Sequence, residues 1–135
     1  MALMDAARAR ALVGVRFRAQ GRDPERGLDC VGLALAACGL PAEYARSDYR
    51  LRGDHGPEMK HMLLRAFRKV SRKQRRNGDL VLMRVAGDQF HLGVLTGDGF
   101  VHADARLRCI VETPGDPAWP VIGIYRRRSR RRVEK

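Results

Sequence analysis

At 135 residues, 44% hydrophobic and 31% charged, the chain has the length and apolar content of one domain with its own core, which excludes wholesale disorder. No run approaches the roughly twenty apolar residues of a membrane helix, and residues 1–10 lack the charged start and greasy run of a secretory leader. Lys and Arg total 27 against 15 Asp and Glu, a net charge of +12, and three widely spaced cysteines without a CxxC pair argue against a disulfide-stapled fold or a zinc site.

Asp5 to Val13 is rich in Ala and Arg and predicts a short helix that Gly14 ends. Residues 15–28 carry Gly21, Pro24 and Gly27 and read as a loop. Asp29 is a good N-cap for the run that follows. That run is small and apolar nearly all round, so it predicts a buried helix, stopped by Gly39 and Pro41. Residues 41–56 read as irregular. From Pro57 onward, Met59, Met62, Leu63, Ala66, Phe67 and Val70 recur at spacings of three and four. This predicts an amphipathic helix running on into a basic stretch and ending at Asn77-Gly78.

Beyond Gly78 the period changes. Strands are expected at Leu80–Arg84, Phe90–Thr96, Phe100–Ala103, Leu107–Thr113 and Val121–Arg126. Thr96-Gly97-Asp98-Gly99 between two apolar runs is a hairpin signal. Helices first and an antiparallel meander afterwards predict an α+β domain over residues 1–126, followed by a basic tail over 127–135. No internal repeat is evident.

Basic residues cluster at 68–76 (RKVSRKQRR) and 126–132 (RRRSRRR). Such runs suit a polyanion: nucleic acid, an acidic wall polymer or a lipid surface. They equally suit a solvated connector and a frayed tail. No aromatic residues interleave and no nucleic-acid motif accompanies them, so nucleic acid is not the expected partner and the solvated reading is preferred.

Cys30 follows the capping aspartate at the start of the buried helix. Unpaired backbone N–H groups and partial positive charge there favour thiolate, so a lowered pKa is expected. Cys38 lies about two turns on in apolar company and reads as inert. Cys109 falls in an expected strand. Of four histidines, His55 lies in a Gly-rich loop and His61 on the amphipathic helix, while His91 and His102 lie on the two strands of the hairpin. Histidines facing each other across a hairpin suit a base and its orienter. They also suit a metal with Asp104 or Cys30 as third ligand. A lone cysteine in an apolar helix is also commonly a core residue. Spacing alone leaves these readings open.

Three blocks, in order, narrow the choice. The first is Gly14-Val15-Arg16-Phe17-Arg18 with Gly21 and Gly27-Leu28-Asp29-Cys30-Val31-Gly32-Leu33. The second is Asn77-Gly78-Asp79-Leu80-Val81. The third is His91-Leu92-Gly93-Val94-Leu95-Thr96-Gly97-Asp98-Gly99-Phe100-Val101-His102-Ala103. Together they resemble the NlpC/P60 cysteine peptidase family, most closely its compact phage- and gene-transfer-agent-tail-associated members.

The resemblance implies a minimal papain-like fold, with N-terminal helices packed on an antiparallel sheet. It implies Cys30 as nucleophile, His91 as general base and later acid, and His102 as the polar group that orients His91. It implies cleavage of amide bonds in peptidoglycan stem peptides, often the γ-D-glutamyl to diamino acid bond, without a metal or organic cofactor. Acyl transfer by the same thiol, or an inactive wall-binding module of the same fold, are the alternatives. Synthesis in the cytoplasm without a signal peptide, with carriage on a particle or delivery to the wall, is the expected setting. Phe17, Asp29 and Val31 are the residues expected beside substrate. Two of them depart from the family pattern: Val31 stands where serine is frequent, and Phe17 where tyrosine is frequent. Asp29 is expected to act chiefly as the N-cap.

Overall fold

The computed structural model describes residues 6–41, 44, 62–86 and 89–128. The first helix, α1, spans Ala6–Arg10 and unwinds through a turn at 11–14. The segment expected to be a loop contains a small antiparallel hairpin, β1 (Arg22–Asp23) and β2 (Gly27–Leu28). Two-residue strands are too short to leave an alternation in sequence.

Helix α2 spans Cys30–Cys38, as its composition predicts. Asp29 caps it, with a carboxylate oxygen accepting the Gly32 N–H at 2.9 Å. Gly39 ends it in the left-handed conformation at φ 71°, where a side chain would be strained. Every α2 residue except Ala36 is buried. Such a helix needs partners all round, and α1, β1 and the main-sheet strands at Gln89–Leu95 and Gly99–Asp104 supply them.

The long amphipathic helix is a correction. Residues 62–66 are helical, but Phe67–Val70 form a strand, β3, followed by a 3-10 turn at Arg72–Gln74. The three-residue step from Phe67 to Val70 has a second meaning in a strand, where it puts the two side chains on opposite faces. Phe67 enters the core beneath α2, and Val70 joins a smaller cluster on the far side of the sheet. Residues 45–61, with the expected start of that helix, lie outside the described residues.

The remaining strands are β4 (Leu80–Ala86), β5 (Gln89–Leu95), β6 (Gly99–Asp104), β7 (Cys109–Pro114) and β8 (Val121–Arg127). They make a six-stranded antiparallel sheet in the order β3-β8-β4-β5-β6-β7. The meander expectation holds for β4 to β7. The last strand instead returns across the sheet to lie between β3 and β4. One reason is Asp79: buried at the head of β4, it takes both Nε and Nη2 of Arg126, each at 2.8 Å. A paired, buried carboxylate favours one strand partner strongly. The start of the basic run is tied to the domain, since Arg127 donates to the Cys38 carbonyl and the Arg128 N–H to Ala66 O.

Candidate active site

The nucleophile's position is built from small residues. A Cβ on Gly32 would collide with the Gly21 carbonyl, and one on Gly21 with the carbonyl of Gly27. Without side chains at these points, the segment before α2 lies directly on the helix's first turn. Asp29, fully buried, then ties the two together. Its Oδ1 accepts from Arg22 Nη1 and the Gly32 N–H, both at 2.9 Å, and its Oδ2 accepts the Gln20 N–H at 3.0 Å.

The sulfur of Cys30 is placed by β5. Leu95 sends its N–H and C=O toward β4, to Asp79 O at 2.8 Å and the Gly78 N–H at 2.7 Å. Alternation therefore turns the Leu92 N–H toward β6. Pairing between β5 and β6 stops at Gly93 and His102, so Leu92 has no ladder partner there. That amide and the Val31 N–H lie close enough to the Cys30 sulfur to favour its thiolate. Nucleophile and sheet thus meet where two strands splay, one residue along from His91.

Burial pushes the Cys30 thiol up to about 12, and the Asp29 charge adds to this; the Leu92 and Val31 amides and Arg22 oppose it. The expectation of a lowered pKa is corrected. At 7% exposure, the loss of water around a thiolate outweighs what the helix start and Arg22 return. Cys38 is also buried and raised to about 12, again chiefly by burial.

The two histidines meet, though diagonally. His102 stands opposite Gly93 in the ladder, and His91 lies two residues before it on the same face. Gly93 offers no side chain between them. His91 Nε2 and His102 Nδ1 lie 3.1 Å apart, with the rings edge-on at 5.3 Å between centroids. Phe100 stacks on His102 at 4.7 Å. The Trp119 ring is edge-on to both imidazoles, at 5.8 Å from each. Burial, then the charge of His102, lowers His91 to about 4, while Asp104 pulls the other way. His102 is lowered too, by burial against Asp104. Among the described residues the imidazole hydrogen bonds are His91 with His102 and His102 with Thr113, and neither imidazole hydrogen-bonds the Cys30 sulfur.

The residues expected beside substrate divide. Phe17 is half-buried against the core, bridged to Leu28 just ahead of the nucleophile. Asp29 and Val31 are buried, the first engaged by Arg22 and backbone amides, the second in the core. Neither side chain is open to a ligand: Asp29 serves as the N-cap, as expected, and Val31 is a core residue. Asp104 Oδ1 holds the 105–108 turn through the N–H groups of Arg106 and Leu107. Among the described residues, no three of His, Cys, Asp or Glu gather to hold a metal ion. His55 and His61 lie outside the described residues. Cys109 is a half-buried β7 residue bridged to Arg16.

Sequence reasoning missed Trp119 and Thr113. Trp119 is the chain's one tryptophan and sits in a Pro-rich turn with no periodicity to mark it. Thr113 Oγ1 lies 2.9 Å from His102 Nε2. Its only signal is an equal spacing, since it follows His102 by the same eleven residues that separate His102 from His91.

A cysteine heading a buried helix against an antiparallel sheet that carries paired histidines defines an α+β domain of the papain-like kind. Within that class the chain belongs to the NlpC/P60 family, whose model matches residues 14–120. It is 33% identical over 111 residues to the murein DD-endopeptidase MepS/murein LD-carboxypeptidase of Escherichia coli strain K12, covering 78% of this chain and 51% of that one. The chain thus spans about half the length of the curated relatives it matches. Its fold resembles NlpC1 from Trichomonas vaginalis, with a TM-score of 0.65 at 20% identity over 90% of this chain and 42% of that one. It also resembles the NlpC/p60 domain of the peptidoglycan hydrolase SagA, with a TM-score of 0.53 at 23% identity over 81% and 85% of the two chains.

Proposed function

We propose that the protein is a cysteine peptidase that hydrolyses amide bonds in peptidoglycan stem peptides, with γ-D-glutamyl to diamino acid bonds as the first candidates. The observation that carries this reading is the contact of His91 Nε2 with His102 Nδ1 at 3.1 Å, one residue from the Leu92 amide that acts on the Cys30 thiol. A neutral thiol and a neutral imidazole set the mechanism. The Cys30 sulfur attacks the amide carbonyl as its proton passes to His91 Nδ1. His102 Nδ1 accepts from His91 Nε2–H and steadies the imidazolium that forms. The Cys30 N–H, at the first helical position, has no intrahelical carbonyl to bind and is free to face the oxyanion. His91 then protonates the leaving amine. Water, giving its proton to His91, hydrolyses the thioester and restores the thiol.

Mass spectrometry of defined stem peptides incubated with the protein tests this directly. New termini at an amide bond support it, and intact peptides under all conditions overturn it. A competing amine that appears in the product would change the acceptor from water to amine.

The pH profile is a second expected outcome. With His91 lowered to about 4, kcat/KM should hold through mildly acidic pH and fall with an apparent pKa near that value. With the thiol at about 12, thiolate absorbance near 240 nm should be missing at neutral pH. An acid limb at the ordinary histidine pKa, or a thiolate band at neutral pH, would contradict the neutral pair. The folded ring binds a proton less readily than an unfolded one. Folding therefore keeps its full His91 contribution above about pH 6.5 and loses it as pH falls toward about 4, so unfolding should be monitored alongside.

The sheet also joins the two basic runs. Arg68 pairs in register with Arg126, and Arg68, Lys69, Arg72, Lys73 and Arg76 are exposed along this edge. We read it as an anchor for an anionic wall polymer. Binding to purified sacculi should weaken steeply with salt, and binding indifferent to salt would remove this role.

A further inference from the structure

The active-site face carries a third polar group beyond the two histidines. On β5, β6 and β7, His91, His102 and Thr113 lie on one diagonal of one face. His102 is paired in register with Val111, and Thr113 lies two residues further on, opposite Phe100. The contacts form an unbroken line: His91 Nε2 to His102 Nδ1 at 3.1 Å, then His102 Nε2 to Thr113 Oγ1 at 2.9 Å.

We infer that Thr113 is a positioning residue that sets the tautomer of His91 through His102. This rests on the proposed role of His91 as base. A line of neutral groups of this kind can run in two directions. In one, the Thr113 hydroxyl accepts from His102 Nε2–H. His102 Nδ1 is then an acceptor, His91 Nε2 carries the proton it donates, and His91 Nδ1 is left with the lone pair that takes the thiol proton. In the other, the Thr113 hydroxyl donates to His102 Nε2. His102 Nδ1–H then donates to His91 Nε2, and the His91 proton moves to Nδ1, where it blocks the base. Thr113 makes the first direction available because its oxygen accepts a proton that would otherwise point at carbon.

Thr113→Val keeps the branched shape that suits a strand and removes that acceptor. An N–H left without an acceptor costs more than a bare ring nitrogen. In the variant the His102 proton therefore moves to Nδ1, and His91 is driven into the blocked form. Long-range proton–nitrogen correlation on histidine-labelled protein reads each tautomer without reference to activity. Wild type should show His102 protonated at Nε2, and so should Thr113→Ser, which restores a hydroxyl. Thr113→Val should show His102 protonated at Nδ1. Turnover should follow, with kcat lower by about tenfold or more in Thr113→Val, KM changed little, and most activity recovered in Thr113→Ser.

Wild-type His102 protonated at Nδ1, or a Thr113→Val protein with the wild-type tautomer, overturns the inference, and the first needs no variant to fold. Failure of wild type to cleave any stem peptide would sink the proposed function and leave the tautomer result to decide Thr113's influence on the rings.

Discussion

Cys30→Ala is expected to abolish stem-peptide cleavage, a fall of roughly 10⁴-fold or more, because the reaction has no other route to an acyl intermediate. The remaining groups, His91, His102 and the α2 amides, would bind and polarise substrate but could not replace the covalent step. The fold should survive. The substitution removes one sulfur from a site where Asp29, Gly32 and Leu33 hold the helix start through their own bonds. The cost is expected to be about 1 kcal/mol. Cys30→Ser is the useful companion, since its hydroxyl keeps the shape and lacks the thiol's nucleophilicity. Measured together, unfolding midpoints near wild type with activity absent in both variants assign the chemistry to the sulfur. Cleavage by Cys30→Ala at the wild-type rate would refute the assignment.

Asp29→Asn is expected to destabilise the fold by about 3–5 kcal/mol, the cost of breaking a buried ion pair from one side. The Arg22 and Asp29 side chains are 10% and 0% exposed, so water cannot replace the lost charge. Against a typical total of about 5–15 kcal/mol, this is a large fraction. The amide keeps one oxygen for the Gly32 N–H, so the cap survives, and the loss comes from the charge pair and from the Gln20 N–H, which then faces an amide NH2 in place of Oδ2. Denaturant midpoints give the stability change. A second readout moves the other way. The Asp29 charge helps hold the Cys30 thiol up at about 12, so its removal should make the thiol more acidic and faster to alkylate in the protein that remains folded. A less stable protein with an unchanged Cys30 alkylation rate would mean that Asp29 supports the loop without acting on the thiol.

Much of this arrangement is written locally. The all-round apolar character of α2, its Asp29 cap and its Gly39 stop are near-neighbour properties, and they appear in the structure within a residue. So does the Thr96 to Gly99 turn, closed by the Thr96 N–H to Gly99 O bond at 2.8 Å. His91 and His102 came together because a tight turn fixes the register of the strands it joins, and that register brings them to neighbouring places on one face.

What sequence left undecided depends on partners far along the chain. Phe67 and Val70 fit a helix or a strand equally well, and pairing with β8 made the choice. The place of β8 between β3 and β4 depends on Arg126 meeting Asp79, forty-seven residues away. The ionisation of Cys30 was legible only as a favourable helix start. Tertiary burial reversed the sign, because desolvation acts on the whole surroundings of a group while a helix end acts only on its first turn. The sequence by itself therefore determined which side chains head a helix, cap it and share a hairpin. Only the packed structure decided how easily those groups take or lose a proton and that Thr113 and Trp119 stand beside them, since water exclusion and cross-strand contact exist only once distant segments have met.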